Sequence, residues 1–201
     1  MSKTALQSLD SIGPLGGGKA DGPKDPVTKE YEDGKRFLDQ HEYSMAAVAL
    51  HNALVGYEKK GDEAGVANAC NQLGNACLAR QEFASALKNY ERALAICEKA
   101  NDRMSILAVS KQIVAAQKGL KQYDKAIAIC LDMLGHYQDN RDPQGSVTTL
   151  DEMAEIYISG GQREKAADTY RTIAAIHRNF RHDTIAAGYL KKATELVAGN
   201  S

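Results

Sequence analysis

The feature that most constrains the fold is a repeat of forty residues, which emerges when the sequence is compared with itself. Self-similarity at a period of about 20 to 50 residues is typical of solenoids, in which each repeat buries its apolar face against its neighbours. The period therefore predicts a row of similar structural units, and not a single core built from distant segments. Alanine marks all four copies, at Ala46, Ala86, Ala126 and Ala166.

The residues around each marker alanine are spaced as on helices. Apolar and small residues recur at fixed distances of three, four and seven residues, and not with the alternation of a strand. Each unit has two such stripes, separated by a polar turn such as Asp39-Gln40-His41, and is therefore predicted to be a helix hairpin. Four residues after the alanine come Leu50, Tyr90, Cys130 and Tyr170, and twelve residues before it come Gly34, Gly74, Val114 and Ala154.

The pattern predicts eight helices in four hairpins, with a ninth helix that caps the last hairpin. The first helices are predicted at roughly 28–39, 63–79, 103–118 and 143–159. The second helices are predicted at roughly 43–59, 83–99, 123–137 and 163–178, and the capping helix at about 184–197. By domain, we predict a disordered Gly/Pro/Lys-containing tail at 1–26, repeats at 27–66, 67–106, 107–146 and 147–182, and the capping helix at 183–198.

The second unit carries the clearest resemblance to a known family, the tetratricopeptide repeat. The residues that resemble this repeat are Asn71, Gln72, Leu73, Gly74 and Asn75, followed by Phe83, Ala86, Tyr90 and Ala93. The forty-residue period is longer than the usual repeat of about 34 residues. It is similar to the branch that includes kinesin light chains, Leu-Gly-Asn repeat adaptors and bacterial peptide-sensing regulators. The resemblance implies an all-α, right-handed solenoid of four helix hairpins with a C-terminal capping helix. The third unit departs at Val114 and Gln117, where we expect looser packing.

The resemblance also implies a binding surface. In tetratricopeptide solenoids the first helices line the concave groove, where extended peptides bind, and the adaptors and peptide sensors of the similar branch use asparagine side chains there. An asparagine amide both donates and accepts hydrogen bonds, so it can pair with the N–H and C=O of a ligand backbone. The residues implied to contact a partner are Asn68, Asn71, Gln72, Asn75, Lys111 and Gln112, with Asp151, Glu152 and Glu155 selecting a basic stretch.

A plainer interpretation of these groove residues stays open. The amides could be polar residues tolerated on an exposed helix, although each asparagine costs a helix about half a kcal/mol relative to alanine. Asp151 and Glu155 share a helix face and could be a solvated acidic surface. Ligand binding and simple exposure therefore remain alternatives for both sets.

No arrangement of reactive side chains indicates an enzyme. The four cysteines form no Cys-x-x-Cys pair and fall on packing positions of the repeat, so they are predicted to fill the core. His177 and His182 are five residues apart, a spacing that does not place two ligands on one helical face. No catalytic residue, cofactor or metal site is therefore predicted. The cysteines are Cys70, Cys77, Cys97 and Cys130.

A glycine-rich run at residues 13–19 matches the G-x-x-x-x-G-K pattern of a phosphate-binding loop. The hydroxyl that such a loop needs for magnesium is replaced by Ala20, and Pro23 and Pro26 oppose an immediate helix. The run is therefore interpreted as part of the tail, and not as a nucleotide site.

Charge and composition exclude further classes of partner. A formal net charge of -1 gives no general attraction to nucleic acid or anionic membranes, and an aromatic content of 6% argues against stacking surfaces for single strands. No apolar run approaches the length of a membrane span or a signal-peptide core, so the cytoplasm is the expected location.

We predict an adaptor or regulatory module that binds a partner peptide or helix. The alternative is a structural protein that self-assembles through its solenoid ends or through tail residues Leu6, Leu9 and Ile12.

Overall fold

The computed structural model describes residues 25–198, and all regular structure within this range is helical. The described helices are α1 Pro26–Asp39, α2 Tyr43–Lys60, α3 Glu63–Ala79, α4 Phe83–Lys99, α5 Arg103–Gly119, α6 Tyr123–Asp139, α7 Pro143–Ser159, α8 Arg163–Asn179 and α9 Asp183–Ala198. Each matches a helix predicted from the forty-residue pattern, with ends that differ by two residues or fewer. The prediction of an all-α array of helix hairpins with a terminal capping helix is confirmed.

The helices from α1 to α8 all end in the same type of turn, which repeats every twenty residues. The N–H of the residue after the turn donates to a carbonyl five residues earlier, as from Glu42 to Phe37 at 2.8 Å and from Gln162 to Tyr157 at 2.8 Å. These bonds satisfy carbonyl groups that a helix end leaves unpaired. The turn residues with positive φ are His41, Gly61, Gln81, Asn101, Lys121, Arg141, Gly161 and Arg181.

The first helix of a hairpin begins with a side-chain cap, whereas the second does not. Asp62 and Asp142 accept from backbone N–H groups three residues later, each at 2.9 Å, and Asp102 does the same for Ser105 at 3.2 Å. Asp25 caps α1 in the same way. Helices α2, α4, α6 and α8 have no side-chain cap bond. The first helices are therefore defined locally, while the second helices depend more on packing.

The chain divides into two compact units, one ending at Ala116 and the other beginning at Gln117. In the first unit α1 packs on α2, α2 on α3 and α3 on α4, and α1 also touches α3. In the second unit α6 packs on α7, α7 on α8 and α8 on α9. Apart from the contact of α1 with α3, the packing in each unit is between helices that are neighbours in sequence, as is typical of a repeat array.

The positions of the repeat that hold small residues pack against the positions that hold large ones. All four marker alanines are fully buried. In the first unit, a Cβ added to Gly34 would come within 2.6 Å of the Leu50 side chain, and one added to Gly74 would overlap the Tyr90 ring. The absence of a side chain at these two glycines is what lets Leu50 and Tyr90 be completely buried.

Most of the predicted tail lies outside the described residues. The part outside is residues 1–24, which include the glycine-rich run. Asp25 and Pro26, assigned to the tail, form the cap and first residue of α1. The repeat boundaries stay predictions.

The packing of the third unit differs from the prediction. Looser packing is expected from the sequence at Val114 and Gln117, yet both side chains are buried. The Oε1 atom of Gln117 lacks a hydrogen-bond partner among the described residues.

Candidate functional site

The four predicted amides of α3 differ in exposure. Asn68, Gln72 and Asn75 are partly exposed, whereas Asn71 is only 5% exposed and belongs to the interior. Helix α3 packs on α2 and on α4, and its residues Cys70 and Leu73 are buried along with Asn71. Three amides of α3 can therefore reach a ligand on the surface directly, and Asn71 cannot.

Asn75 supports a buried tyrosine. The Tyr90 hydroxyl donates to Asn75 Oδ1 at 2.8 Å, and Asn75 Nδ2 donates to Gln72 Oε1 at 3.0 Å. Tyr90 is fully buried, and a buried hydroxyl needs a partner because water cannot reach it. Burial raises the pKa of Tyr90, which keeps the hydroxyl in its donating form. Internal structure therefore accounts for Asn75, and Gln72 forms the outer end of this hydrogen-bonded chain.

Asn71 lines a cavity of about 80 Å³ formed by α3, α4 and α5. The Oδ1 atom of Asn71 is buried and has no hydrogen-bond partner among the described residues. A buried acceptor left unpaired costs about 1–3 kcal/mol, so this position is not explained by packing. The residues that line the cavity are Ala64, Ala67, Asn68, Asn71, Ile96, Cys97, Ala100, Asp102, Ser105 and Val109.

The two predicted groove residues of α5, Lys111 and Gln112, are both partly exposed. The cavity has walls from α3 and from α5, so these two first helices are adjacent in the first unit. Five of the six residues predicted on α3 and α5 to contact a partner are therefore partly exposed. They are Asn68, Gln72, Asn75, Lys111 and Gln112.

In the second unit, the three predicted acidic residues are engaged by the chain itself. Lys118 Nζ lies 2.6 Å from Glu152 Oε1 and 3.5 Å from Glu155 Oε2. The Tyr189 hydroxyl donates to Asp151 Oδ2 at 2.6 Å. Burial would lower the pKa of Lys118, but the two glutamates outweigh it and the pKa is raised. The acidic surface is therefore partly neutralised before any partner arrives.

The site prediction did not include Lys118, although the sequence contains a signal for it. At the same phase of the forty-residue period the other units have Leu38, Leu78 and Ile158. A lysine in a column that is otherwise apolar is a departure that needs a partner. Glu152 and Glu155 provide that partner from α7.

His177 and His182 lie together, contrary to the argument from helical spacing. Their Nδ1 atoms are 3.4 Å apart, and the His177 ring stacks on Tyr189 with an interplanar angle of 11°. The spacing argument assumed one continuous helix, whereas α8 ends at Asn179 and the positive φ of Arg181 reverses the chain. No group of three or more potential metal ligands occurs among residues 25–198.

The cysteines have the environment of core residues. Cys70, Cys97 and Cys130 are buried and Cys77 is half-buried, and none forms a disulfide. Burial raises the pKa of all four thiols, in the case of Cys130 to about 12. A thiol that stays protonated at neutral pH is a poor nucleophile, which agrees with the core-filling role predicted from the repeat.

Comparison with known families identifies the repeat. Residues 69–104 and 149–184 match the family model for the tetratricopeptide repeat. The two matches begin 80 residues apart (149 − 69), which is twice the period of the sequence. The predicted resemblance to tetratricopeptide repeat proteins is confirmed. No curated protein sequence matches the chain.

Solved structures share the fold at low sequence identity. TPR-like repeats from a kinesin light chain-type protein of Podosopora anserina are 15% identical, with a TM-score of 0.63 over 89% of this chain and 99% of that one. The apo form of RapI is 13% identical, with a TM-score of 0.67 over 90% of this chain and 69% of that one.

A Rap protein complexed with Competence and Sporulation Factor is 18% identical, with a TM-score of 0.60 over 85% of this chain. The match spans 52% of that Rap protein, so this chain corresponds to about half of it. At these identities the comparisons establish the fold alone. No helix between residues 25 and 198 is long and apolar enough to cross a bilayer.

Proposed function

We propose that this array of tetratricopeptide-type hairpins is a non-enzymatic adaptor or regulatory module that binds a segment of a partner protein along its first helices. The observation that carries the proposal is the set of partly exposed amides on α3, Asn68, Gln72 and Asn75, beside Lys111 and Gln112 of α5. The fold supports it, because a Rap protein with this fold was solved in complex with Competence and Sporulation Factor. The cytoplasmic location stays a prediction.

The chemistry of these side chains suits an extended or helical polypeptide. An extended segment has N–H and C=O groups that need partners, and a carboxamide supplies both an acceptor and a donor. The structure orders the amides by availability. Asn75 is already bonded to Tyr90 and to Gln72. We therefore expect Asn68 and Gln72 to make the direct contacts, with Asn75 holding Gln72 in place.

The proposed selection of a basic stretch by the second unit takes the form of an exchange. Asp151, Glu152 and Glu155 interact with Tyr189 and Lys118 within the chain. The arginine or lysine of a partner would have to replace Lys118 beside the two glutamates. Because both cations carry the same charge, the exchange gives little net affinity and serves mainly to reject acidic segments.

The test uses a displayed library of random peptides selected on the wild-type protein. Binding of the selected peptides is then measured by fluorescence anisotropy for wild type, for the double variant Asn68→Ala/Gln72→Ala and for Asn89→Ala. Asn89 lies on the second helix α4 and bonds to Ser85, so its variant is a matched control. We expect at least tenfold weaker binding for the double variant and no change for the control, with unchanged helical circular dichroism. Equal affinities for all three proteins would show that the first-helix amides are not the binding surface.

Self-assembly remains a second candidate because the capping helix leaves apolar side chains uncovered. Among its described residues α9 buries Ala186 and Ala193, whereas Ile185 is 48% exposed and Val197 is 42% exposed. Such residues at the end of a repeat array can pair with another copy. Light scattering at high micromolar concentration decides the question. A monomer would exclude this candidate, while an oligomer that Ile185→Glu dissociates would favour it.

A further inference from the structure

The end of the first hairpin shows how this fold normally fills the space between consecutive repeats. The Tyr57 ring at the end of α2 lies edge-on to Tyr31, with 6.1 Å between ring centroids. Gly65 leaves room for the ring, since any side chain there would overlap it. Burial raises the pKa of the Tyr57 hydroxyl. A phenol therefore fills the junction between the first and second repeats.

The same junction one period later has no aromatic ring. A shift of forty residues places Cys97 where the preceding repeat has Tyr57, and Asn71 where it has Tyr31. Three other residues lie near Tyr57, namely Thr28, Asp62 and Gly65. The same shift places Asn68, Asp102 and Ser105 at their positions. All five shifted residues line the cavity of about 80 Å³. The cavity thus lies where the preceding repeat holds the Tyr57 ring, with the Ser105 side chain in part of that space.

The third repeat confirms that the aromatic ring is the ordinary filling. Tyr137 stands a further forty residues on, is buried, and lies against Gly145 as Tyr57 lies against Gly65. Cys97 is therefore the exception in its column. Replacement of a ring by a thiol normally leaves a cavity that destabilises the protein, so the exception calls for an occupant.

We propose that this cavity, named here the Cys97 cavity, receives the side chain of a tyrosine from the partner segment. The inference rests on the proposed function, because the partner must lie along α3 and α5 to reach the cavity. The exposed residues Ala64 and Ala100 stand at its rim and leave an entrance.

A tyrosine suits the Cys97 cavity better than other side chains. Its hydroxyl is the donor that the buried Asn71 Oδ1 lacks, and its ring would enter the space that the preceding repeat gives to Tyr57 and that Ser105 here fills in part. A phenylalanine would leave that oxygen unpaired, and an unpaired buried acceptor is costly.

The first experiment tests the cavity without any partner. The probes are p-cresol, which is the tyrosine side chain, and toluene, which is the phenylalanine side chain, titrated into the full-length protein and followed by amide NMR shifts. We expect p-cresol to shift residues around Asn71 and Cys97 and to bind at least tenfold more tightly than toluene. Cys97→Tyr/Ser105→Gly, which restores the Tyr57/Gly65 pair of the preceding repeat, should abolish p-cresol binding, and Asn71→Leu should reduce it to the level of toluene. The control Cys77→Ala, at a half-buried cysteine outside the cavity lining, should leave it unchanged. Absence of p-cresol shifts near the cavity, or equal affinity for the two probes, would overturn the inference.

The second experiment identifies the source of the ring. Peptides selected from the random library on wild type should contain tyrosine at one position, and those selected on Cys97→Tyr/Ser105→Gly should not. Peptides without that enrichment would overturn the inference and leave the proposed function standing. Failure to select any peptide would contradict both, and the p-cresol titration would still report on the cavity by itself.

Discussion

At the scale of single residues, one hydrogen bond holds a tyrosine in the core of the first unit. Tyr90→Phe removes the hydroxyl that donates to Asn75 Oδ1 at 2.8 Å and leaves the ring in place. We expect a loss of about 1 kcal/mol in the free energy of unfolding, measured by urea denaturation. Tyr43→Phe is the matched control, since its hydroxyl bonds to His41 in an exposed position at 2.9 Å. A loss as large in the control as in Tyr90→Phe would contradict the role given to Asn75.

The buried thiol of Cys130 is expected to make the stability of the protein depend on pH in the alkaline range. Burial raises the pKa of Cys130 from 9.0 to about 12. Since the folded pKa lies above the unfolded one, the contribution of the thiol is complete below about pH 9 and declines as the pH rises toward 12. The decline for one group is at most about 1.4 kcal/mol per pH unit. Cys130→Ala should therefore lose less stability than wild type between about pH 9 and pH 11 in urea denaturation. Leu131→Ala, an exposed neighbour that does not titrate, should follow wild type, and identical slopes for all three proteins would refute the assignment.

At the scale of helices, two glycines have opposite roles. A side chain at Gly74 of α3 would overlap Tyr90, whereas nothing lies within 4 Å of a Cβ placed on Gly135 of α6. Gly135→Ala should stabilise the protein by about 0.5–1 kcal/mol, because alanine is the better helix former. Gly74→Ala should destabilise it by about 1–3 kcal/mol, because overpacking outweighs the same helix preference. Thermal denaturation distinguishes the two variants. Changes of the same sign would mean that packing does not explain why this position of the repeat holds glycine.

The helices themselves were predictable because their ends are set by local chemistry. Each aspartate cap lies within a few residues of the groups that it satisfies, and the turn recurs at a constant phase of the period. The site was less predictable because it depends on residues far apart in sequence. Lys118 pairs with Glu152 across 34 positions, and the burial of Asn71 depends on what α4 places opposite it. His177 and His182 were misjudged because the helix ends between them.

At the scale of the whole molecule, the net charge of -1 gives no general preference for basic or acidic partners. Any charge selection must therefore come from local groups such as the Lys118–Glu152–Glu155 cluster of the second unit. Lys118→Met leaves the two carboxylates without their cation. We expect an arginine-containing selected peptide to bind several-fold more tightly to this variant, with the gain lost at about 1 M salt.

The control for this prediction is Lys125→Met, which removes an exposed lysine of α6 without touching the cluster. Affinities are measured by anisotropy for the arginine peptide and for the same peptide with glutamate in place of arginine. A gain shared by both peptides would show that Lys118 acts through stability and not through charge selection.

The twenty-residue spacing of the turns limits how such a chain can change in length. Helices α3 to α8 are each 17 residues long, and a three-residue turn follows each of them. One residue inserted into a helix rotates everything beyond it by about 100°, which moves the buried column to the outside. An insertion of one helix and turn would leave the rest of the chain running in the opposite direction. Only whole hairpins can be duplicated or lost without disturbing their neighbours. Such a chain can therefore change in length during evolution by gaining or losing complete hairpins.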